Sequence, residues 1–199
     1  MRIFILVILT LVLTGCSINF GFVENKVYNE DSLKNYKATG EDIINDKYIT
    51  RSEAIDIAYD VIINGFGVQV DKDSLVEYIS LYEANSQFFW DISLENKDMK
   101  LYNNVRISCD NGDIIAASSY KYTYDINYSK NTDTLTMEEC ISIIKPLADF
   151  LEINIDEYEV NTIDKYDNII VELIKNRDVS YGFYINKYNK ILVSYYKGD

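Results

Sequence analysis

This 199-residue chain contains no histidine. The side chains left to consider for catalysis or metal binding are its three cysteines and its 32 carboxylates. Without histidine, Ser-His-Asp and Cys-His mechanisms lack their general base, and histidine-containing zinc sites are excluded. Besides Cys16, the two thiols of Cys109 and Cys140 are too few for an all-cysteine zinc cage. A glycosidase-type carboxylate pair is formally possible, but among so many acidic residues any given pair is expected to be solvated surface. The sequence therefore predicts no catalytic residue, no cofactor and no metal ligand.

Cys16 stands at the end of an apolar stretch near the start of the chain. Residues 3–13 are apolar apart from one threonine, and Arg2 precedes them. A membrane span needs about 20 such residues, so this stretch is too short to span and is typical of a secretory signal peptide. Its end, Leu13-Thr14-Gly15-Cys16, resembles the lipobox of bacterial lipoproteins. The alternative is a secretory signal followed by a chance cysteine, which the position of the motif against the apolar run disfavours.

The lipobox resemblance implies a chemical role for Cys16. Its thiol would take a diacylglyceryl group, and residues 1–15 would be removed as a lipoprotein signal peptide. Two acyl chains anchor a protein stably, so we expect the mature chain to be held by Cys16 on the extracytoplasmic face of the cell membrane. Residues 16–48 are polar and aperiodic, which predicts a flexible tether.

The formal net charge is −13. Nucleic acid is a poor partner for such a chain, because phosphates require clustered lysine and arginine. Adsorption to anionic lipid through charge is not expected either, so the membrane contact is assigned to the lipid on Cys16.

Cys109 and Cys140 would meet an oxidising compartment outside the membrane, so a disulfide between them is allowed. That bond would join the two halves of the folded chain. The other interpretation is two buried free thiols acting as small hydrophobic side chains. Because the two cysteines show no spacing signature, we favour buried free thiols.

The elements that must carry any site begin at a capping box. Thr50 and Glu53 have the Ser/Thr-x-x-Glu spacing that caps a helix, and apolar residues follow at helical spacing until Gly65 and Gly67. The pattern then alternates with period two. It predicts strands over 75–83, 88–95, about 105–109 and 114–124, the last two joined by a type I′ turn at Asn111-Gly112.

The same order of elements recurs in the second half. Thr136 and Glu139 form a second capping box, and apolar-rich stretches follow at about 157–163, 168–174, 179–185 and 190–197. Pro146 should kink this second helix or end its regular part near Lys145. Period switching from 3.6 to 2, twice, predicts an α+β fold of two tandem units, each one helix packed on an antiparallel sheet of about four strands. The units cover residues 49–128 and 129–199.

This unit resembles a PepSY domain. The matching residues are the capped helix start of the first unit, the tryptophan strand and the turn that precedes its last strand: Thr50, Glu53, Ala54, Ile55, Ala58, Trp90, Asp110, Gly112, Ile114 and Ile115. The second unit departs more, since it has no tryptophan and Asn189 replaces the glycine of the turn. The resemblance covers roughly residues 49–198.

The resemblance implies binding and regulation outside the membrane, with no catalytic residue to carry over. We therefore expect a non-enzymatic lipoprotein that restrains a peptidase or another cell-envelope enzyme. The alternative is a ligand- or cation-binding accessory lipoprotein, which the acidity suggests. Trp90, Ile92 and Leu94 are expected to form the sheet face under the first helix. The period-two stripes of Tyr120, Tyr122 and Tyr124, and of Tyr181, Phe183 and Ile185, are expected to meet the core. The alternative for the first stripe is an exposed aromatic patch suited to a protein or glycan partner.

Overall fold

The computed structural model describes residues 48–96, 101–121 and 135–198. Within these ranges the chain is α+β, with eight strands joined in a single antiparallel sheet. The sheet order is β1-β2-β3-β4-β8-β7-β6-β5. Where the sequence predicts a sheet of about four strands for each unit, the structure has one continuous sheet to which both sets contribute. In the described part of the chain, no helix has the length and apolar character needed to cross a membrane.

The two helices begin as the sequence predicts. Helix α1 spans Arg51–Asp60 and helix α2 spans Met137–Phe150. Each is preceded by a complete capping box, in which the threonine hydroxyl accepts from the backbone N–H of the glutamate three residues later. The glutamate carboxylate in turn accepts from the threonine backbone N–H, at 2.7 Å in the first box and 2.8 Å in the second.

The strands follow each helix in two runs of four. Their bounds are β1 Leu75–Ala84, β2 Gln87–Asn96, β3 Leu101–Ser108, β4 Ile114–Lys121, β5 Glu159–Lys165, β6 Asn168–Lys175, β7 Asp178–Asn186 and β8 Ile191–Lys197. Every predicted strand is present, with ends that differ by a few residues. The part of the fourth predicted strand beyond residue 121 lies outside the described residues.

The two runs meet at β4 and β8, which pair over three positions. Ala117 lies opposite Tyr195 at the centre of this short ladder, and both side chains are buried. The hairpins on either side of this seam have matching irregularities. The register shifts after Arg106 in β3 and after Tyr184 in β7, the same distance before the turn in each hairpin.

Both helices pack on one face of the sheet. Helix α1 contacts β2 and β3, and α2 contacts β7 and β8. The core between helices and sheet includes Trp90, Ile92 and Leu94, as predicted for the first stripe. The Trp90 indole N–H donates to the Ile49 carbonyl at 3.2 Å, which ties the segment before α1 to the sheet. The opposite face of the sheet carries no helix among the described residues.

One local expectation is wrong, and one of the two alternatives given for Pro146 is wrong. Asn111 does not share the positive φ of Gly112 (77°), so this turn is not type I′; the loop is longer, and the Gly112 N–H donates to the Ser108 carbonyl. A positive φ at both central residues, as type I′ requires, occurs instead at Asn85 and Ser86. Helix α2 continues through Pro146 to Phe150, so its regular part does not end near Lys145.

Candidate functional site

A cavity of about 540 Å³ lies between the end of the first helix and α2, and is here called the helix-exit cavity. Its walls also include the start of β8 and the ends of β3 and β4. The lining is mainly apolar, with few polar groups and one charged side chain, a composition typical of small-molecule and peptide sites. The lining residues are Asn64, Gly65, Phe66, Gly67, Val68, Leu101, Ser119, Ser142, Ile143, Pro146, Lys190, Ile191 and Leu192.

One wall is formed by a π-helical turn that follows α1. This turn spans Val61–Gly65, and the Phe66 N–H donates to the Val61 carbonyl, five residues earlier. At the end of α2, the Leu151 N–H donates to the Leu147 carbonyl, four residues earlier. The last turn of the first helix therefore contains one more residue than the last turn of α2. Single π turns of this kind occur frequently at functional sites.

Glycine is required in this turn because α2 approaches closely. A Cβ atom on Gly65 would lie 2.6 Å from Leu147 Cδ1, closer than real Cβ contacts. Two residues later Gly67 adopts a φ of 69°, a conformation that glycine adopts without steric cost. The extra residue and the two glycines thus let the chain turn away from the helix axis and leave the cavity beside it.

Pro146 removes a helical hydrogen bond from the opposite wall. Proline has no N–H, so the carbonyl four residues earlier loses its intrahelical donor. That carbonyl belongs to Ser142, and both residues line the cavity. The carbonyl without its helical donor therefore belongs to a residue of this wall.

Lys190 is the charged residue among those that line the cavity. Its ammonium group lies 3.4 Å from the Glu139 carboxylate, a long and partly exposed ion pair. Hydrogen bonds from the Thr50 and Thr136 backbones lower the pKa values of their capping glutamates, and for Glu139 the Lys190 charge adds to this effect. Glu53 and Glu139 are therefore capping groups, held ionised by the helix starts.

The floor of the cavity rests on a buried polar pair. The Ser119 hydroxyl donates to the Asn103 side-chain carbonyl at 2.8 Å, and the Asn103 amide donates to the Leu94 carbonyl at 3.1 Å. Buried polar groups are stable when paired in this way. The pair fixes the ends of β3 and β4 beneath the cavity.

A smaller cavity of about 330 Å³ occupies the corresponding place at the exit of α2. It lies beside the β3–β4 turn, as the helix-exit cavity lies beside the β7–β8 turn. Its lining is more polar and includes Glu152, Tyr181 and the ion pair between Asp113 and Lys197, whose charged atoms are 2.7 Å apart. The two helix exits therefore produce two different cavities, one apolar and one charged.

The cysteines and aromatic residues singled out in the sequence do not line the helix-exit cavity in the described part of the chain. Cys16, the proposed lipidation residue, lies outside the described residues, as do Tyr122 and Tyr124. Cys109 and Cys140 are buried and free. Tyr120 is 41% exposed, so its expected place in the core is wrong, whereas Phe183 and Ile185 are fully buried as predicted.

No pattern in the sequence predicts the helix-exit cavity. Pro146 and the glycine pair are the signals that could have indicated it, but they point to local backbone breaks and not to a shared wall. In the described ranges, no group of three or more cysteine, aspartate and glutamate side chains could hold a metal ion.

Comparison with solved structures gives two matches, of which the first reaches a TM-score that indicates a similar fold. The Bacillus megaterium YpeB C-terminal domain matches with a TM-score of 0.50 at 5% sequence identity, covering 76% of this chain and 64% of that domain. A proposed lipoprotein from Clostridium difficile 630 matches with a TM-score of 0.30 at 14% identity, covering 77% of this chain and 96% of that chain. The chain thus spans less than two thirds of the YpeB domain, and the likeness to it shows the fold. No protein-family model matches the chain, and no curated protein matches its sequence.

Proposed function

We propose that this protein is a membrane-anchored extracytoplasmic lipoprotein whose folded part binds a protein of the cell envelope and catalyses no reaction. In this proposal residues 1–15 are the signal peptide, Cys16 carries the lipid, and residues 16–48 are the tether. Residues 49–128 and 129–199 are two PepSY-like repeats that share the sheet. The matching hairpin irregularities and the two capped helices support the repeat assignment.

The helix-exit cavity is the observation that carries the binding role. Its volume of about 540 Å³ is large enough for one or two apolar side chains, and pockets of this size and composition are common binding sites. Lys190 can pair with a carboxylate. Apolar side chains with a nearby acidic group are what an envelope peptidase or cell-wall enzyme could present from a surface loop.

Filling the cavity tests this role. Ser142→Trp would place an indole at the rim, and Lys145→Trp would place one on the same helix outside the lining. After crosslinking in intact cell envelopes, wild type and Lys145→Trp should capture the same peptidase or cell-wall enzyme, and Ser142→Trp should lose most of it. Recovery of no specific protein by wild type, or equal recovery by all three, would contradict the proposal.

The anchor is tested separately. Cys16→Ser removes the thiol that would be acylated, so we expect its mass to lack the diacylglyceryl group and to include residues 1–15, because the signal peptide is removed only from the acylated chain. Diacylation of a chain that begins at Cys16, measured by mass spectrometry in wild type, and its loss in the variant, would support the assignment of Cys16. A wild-type chain without the diacylglyceryl group, or a variant that still carries it, would contradict the assignment.

The second candidate is an accessory lipoprotein that binds a small ligand, which the size of the same cavity favours. Envelope glycans and calcium are the probes, measured by thermal shift and by calorimetry. A melting shift with a glycan that Ser142→Trp abolishes would favour this candidate over the protein partner.

A further inference from the structure

Strand β1 forms a long and regular edge of the sheet. Its ten residues pair with β2 without any register shift. In the described ranges no strand pairs with its other side. The opposite edge, β5, has seven residues. An unpaired edge presents a row of N–H and C=O groups that can receive another strand.

The register shows which backbone groups face outward. The Asn85–Ser86 turn joins β1 to β2 through two residues, so Ala84 and Gln87 form the hydrogen-bonded pair that closes it. Hydrogen-bonded pairs then alternate along an antiparallel ladder. Glu77, Ile79 and Leu81 lie at the alternate positions, and their backbone groups therefore point away from β2.

Acidic side chains accompany these outward groups. Glu77 and Glu83 are exposed and lie on the same side of β1. Glu77 accepts a hydrogen bond from the Tyr59 hydroxyl at 2.9 Å, and a neutral donor leaves the carboxylate charge in place. Two cations lie nearby: Lys72 is 4.3 Å from the centre of the Tyr59 ring, and Arg51 lines the same depression as Glu77. Neither forms an ion pair with Glu77 by distance.

The other side of β1 is apolar and aromatic. Val76 is 36% exposed and Tyr78 is 56% exposed. Leu75, Ile79 and Leu81 share the face of Glu77 and Glu83 and pack against the core. A strand paired with β1 would therefore need apolar residues beside Val76 and Tyr78, and cations opposite the two glutamates on the other face. Opposite charges placed across a strand pair stabilise the pairing, and like charges destabilise it.

A second copy of this chain fits the edge poorly. When β1 pairs antiparallel with β1 of a second copy and the two Ile79 residues lie opposite each other, Glu77 lies diagonal to Glu83 of the other copy. When the two Ser80 residues lie opposite each other, Glu77 and Glu83 are directly opposite. When the two Tyr78 residues lie opposite each other, the two Glu77 residues are diagonal. Each of these registers brings carboxylates of both copies together, on chains of net charge −13.

We propose that β1 receives an extended segment of a partner protein in which basic and apolar residues alternate, added antiparallel to the sheet edge. The basic side chains lie beside Glu77 and Glu83, and the apolar ones lie against Val76 and Tyr78. This goes beyond the proposed function, because it holds whether or not the helix-exit cavity is occupied.

The probe is a synthetic nine-residue peptide that alternates lysine and valine, titrated into the isotope-labelled protein and followed by NMR. We expect amide shifts concentrated in β1, with the largest at the outward-facing positions. Methylation of the lysine amide nitrogens should abolish binding, because those N–H groups face β1. Methylation of the valine amide nitrogens should not affect binding, because those N–H groups point away from β1.

Two pairs of protein variants distinguish the effect of the β1 carboxylates from the effect of the overall negative charge of the protein. Glu77→Gln with Glu83→Gln should weaken binding roughly two- to tenfold, as expected for two exposed charge pairs. Asp156→Asn with Glu159→Gln makes the same charge change beside β5 and should leave the affinity unchanged.

Four outcomes would overturn the proposal: absence of binding, shifts spread over the acidic surface, equal binding of the two methylated peptides, or equal weakening by both variant pairs. Self-association through β1 in sedimentation experiments would also overturn it, because the edge would then be occupied by a second copy. None of these outcomes bears on the Ser142→Trp experiment, so the two proposals can fail independently.

Discussion

At the scale of single residues, burial decides the chemistry of the two thiols in the folded chain. Burial raises the pKa of Cys109 to about 12, with the nearby Asp110 charge adding to the effect. Burial also raises the pKa of Cys140, and the neighbouring Glu139 charge acts in the same direction. The thiolate is the reactive form of cysteine. Both thiols are therefore protected from alkylation, because they are inaccessible to solvent and because they stay protonated.

This protection can be measured in a Cys16→Ser variant, where Cys109 and Cys140 are the remaining thiols. We expect alkylation near neutral pH to be on the order of a hundredfold slower than for a free thiol, because it requires local opening. Both should react rapidly once the protein is denatured. Rapid labelling of either thiol in the native protein would contradict the buried arrangement, and cysteine-free unfolded controls would exclude labelling elsewhere.

The capping boxes give a second residue-level prediction. Thr50→Ala and Thr136→Ala should each lower the free energy of unfolding by about 1 kcal/mol, since each removes the hydroxyl that satisfies a helix N–H. Thr162→Ala, on the exposed edge strand β5, is the matched control and should change little. Denaturant titration measures all three, and equal effects would contradict the capping assignment.

The same boxes make stability depend on pH. The pKa values of Glu53 and Glu139 are lowered from the ordinary 4.5 in the folded state, so their contribution is present above 4.5 and is lost as pH falls through the lower folded values. Glu53→Gln with Glu139→Gln should therefore flatten the loss of stability on acidification below 4.5. An unchanged slope there would show that these carboxylates are not preferentially ionised in the folded protein.

At the scale of elements, the sequence predicts what is encoded locally. Both capping boxes have a four-residue signature, and the strands are either alternating or apolar-rich stretches separated by turns, so the helices and strands could be predicted. The π turn could not, because one extra residue before Gly65 leaves no periodic trace in so short a segment. Of the two alternatives for Pro146, an end near Lys145 is wrong: α2 continues to Phe150 despite the missing hydrogen bond, with buried residues on both sides of the proline.

The hairpin of β7 and β8 offers a test of packing within an element. A Cβ atom on Gly182 would overlap the ring of Tyr196, which lies across the strand pair. Gly182→Ala should lower the free energy of unfolding by about 1–3 kcal/mol, the usual range for overpacking.

Removal of the ring supplies the control for that prediction. If the overlap is the cause, Gly182→Ala should cost much less in a Tyr196→Ser background, and a double-mutant cycle gives the difference. Additive effects of the two substitutions would contradict the steric explanation.

At the scale of the whole molecule, the arrangement that sequence reasoning missed is the pairing of β4 with β8. Strand pairing between distant segments has no local code, and each predicted unit looked complete with four strands. The helix-exit cavity depends on this pairing, because Leu192 of β8 and Ser119 of β4 line it together. Its position therefore could not be predicted before the sheet order was known.

A shared sheet predicts shared unfolding. One buried cluster runs from α1 through the sheet to α2 and β7, so we expect a single calorimetric transition with a calorimetric to van't Hoff enthalpy ratio near unity. Tyr195→Ala, at the centre of the seam, should lower the free energy of unfolding by about 3–5 kcal/mol and leave the transition single. Two resolved transitions in wild type would show that the halves unfold separately despite the continuous sheet.

The π turn has a genetic consequence as well. The last turns of the two helices differ in length by one residue. The segment that contains the extra residue forms one wall of the helix-exit cavity. Deletion of a single codon between positions 61 and 65 would return the first exit to the length of the second. If the helix-exit cavity binds an apolar group, as proposed above, a one-codon insertion or deletion is enough to create or remove this difference between the two halves.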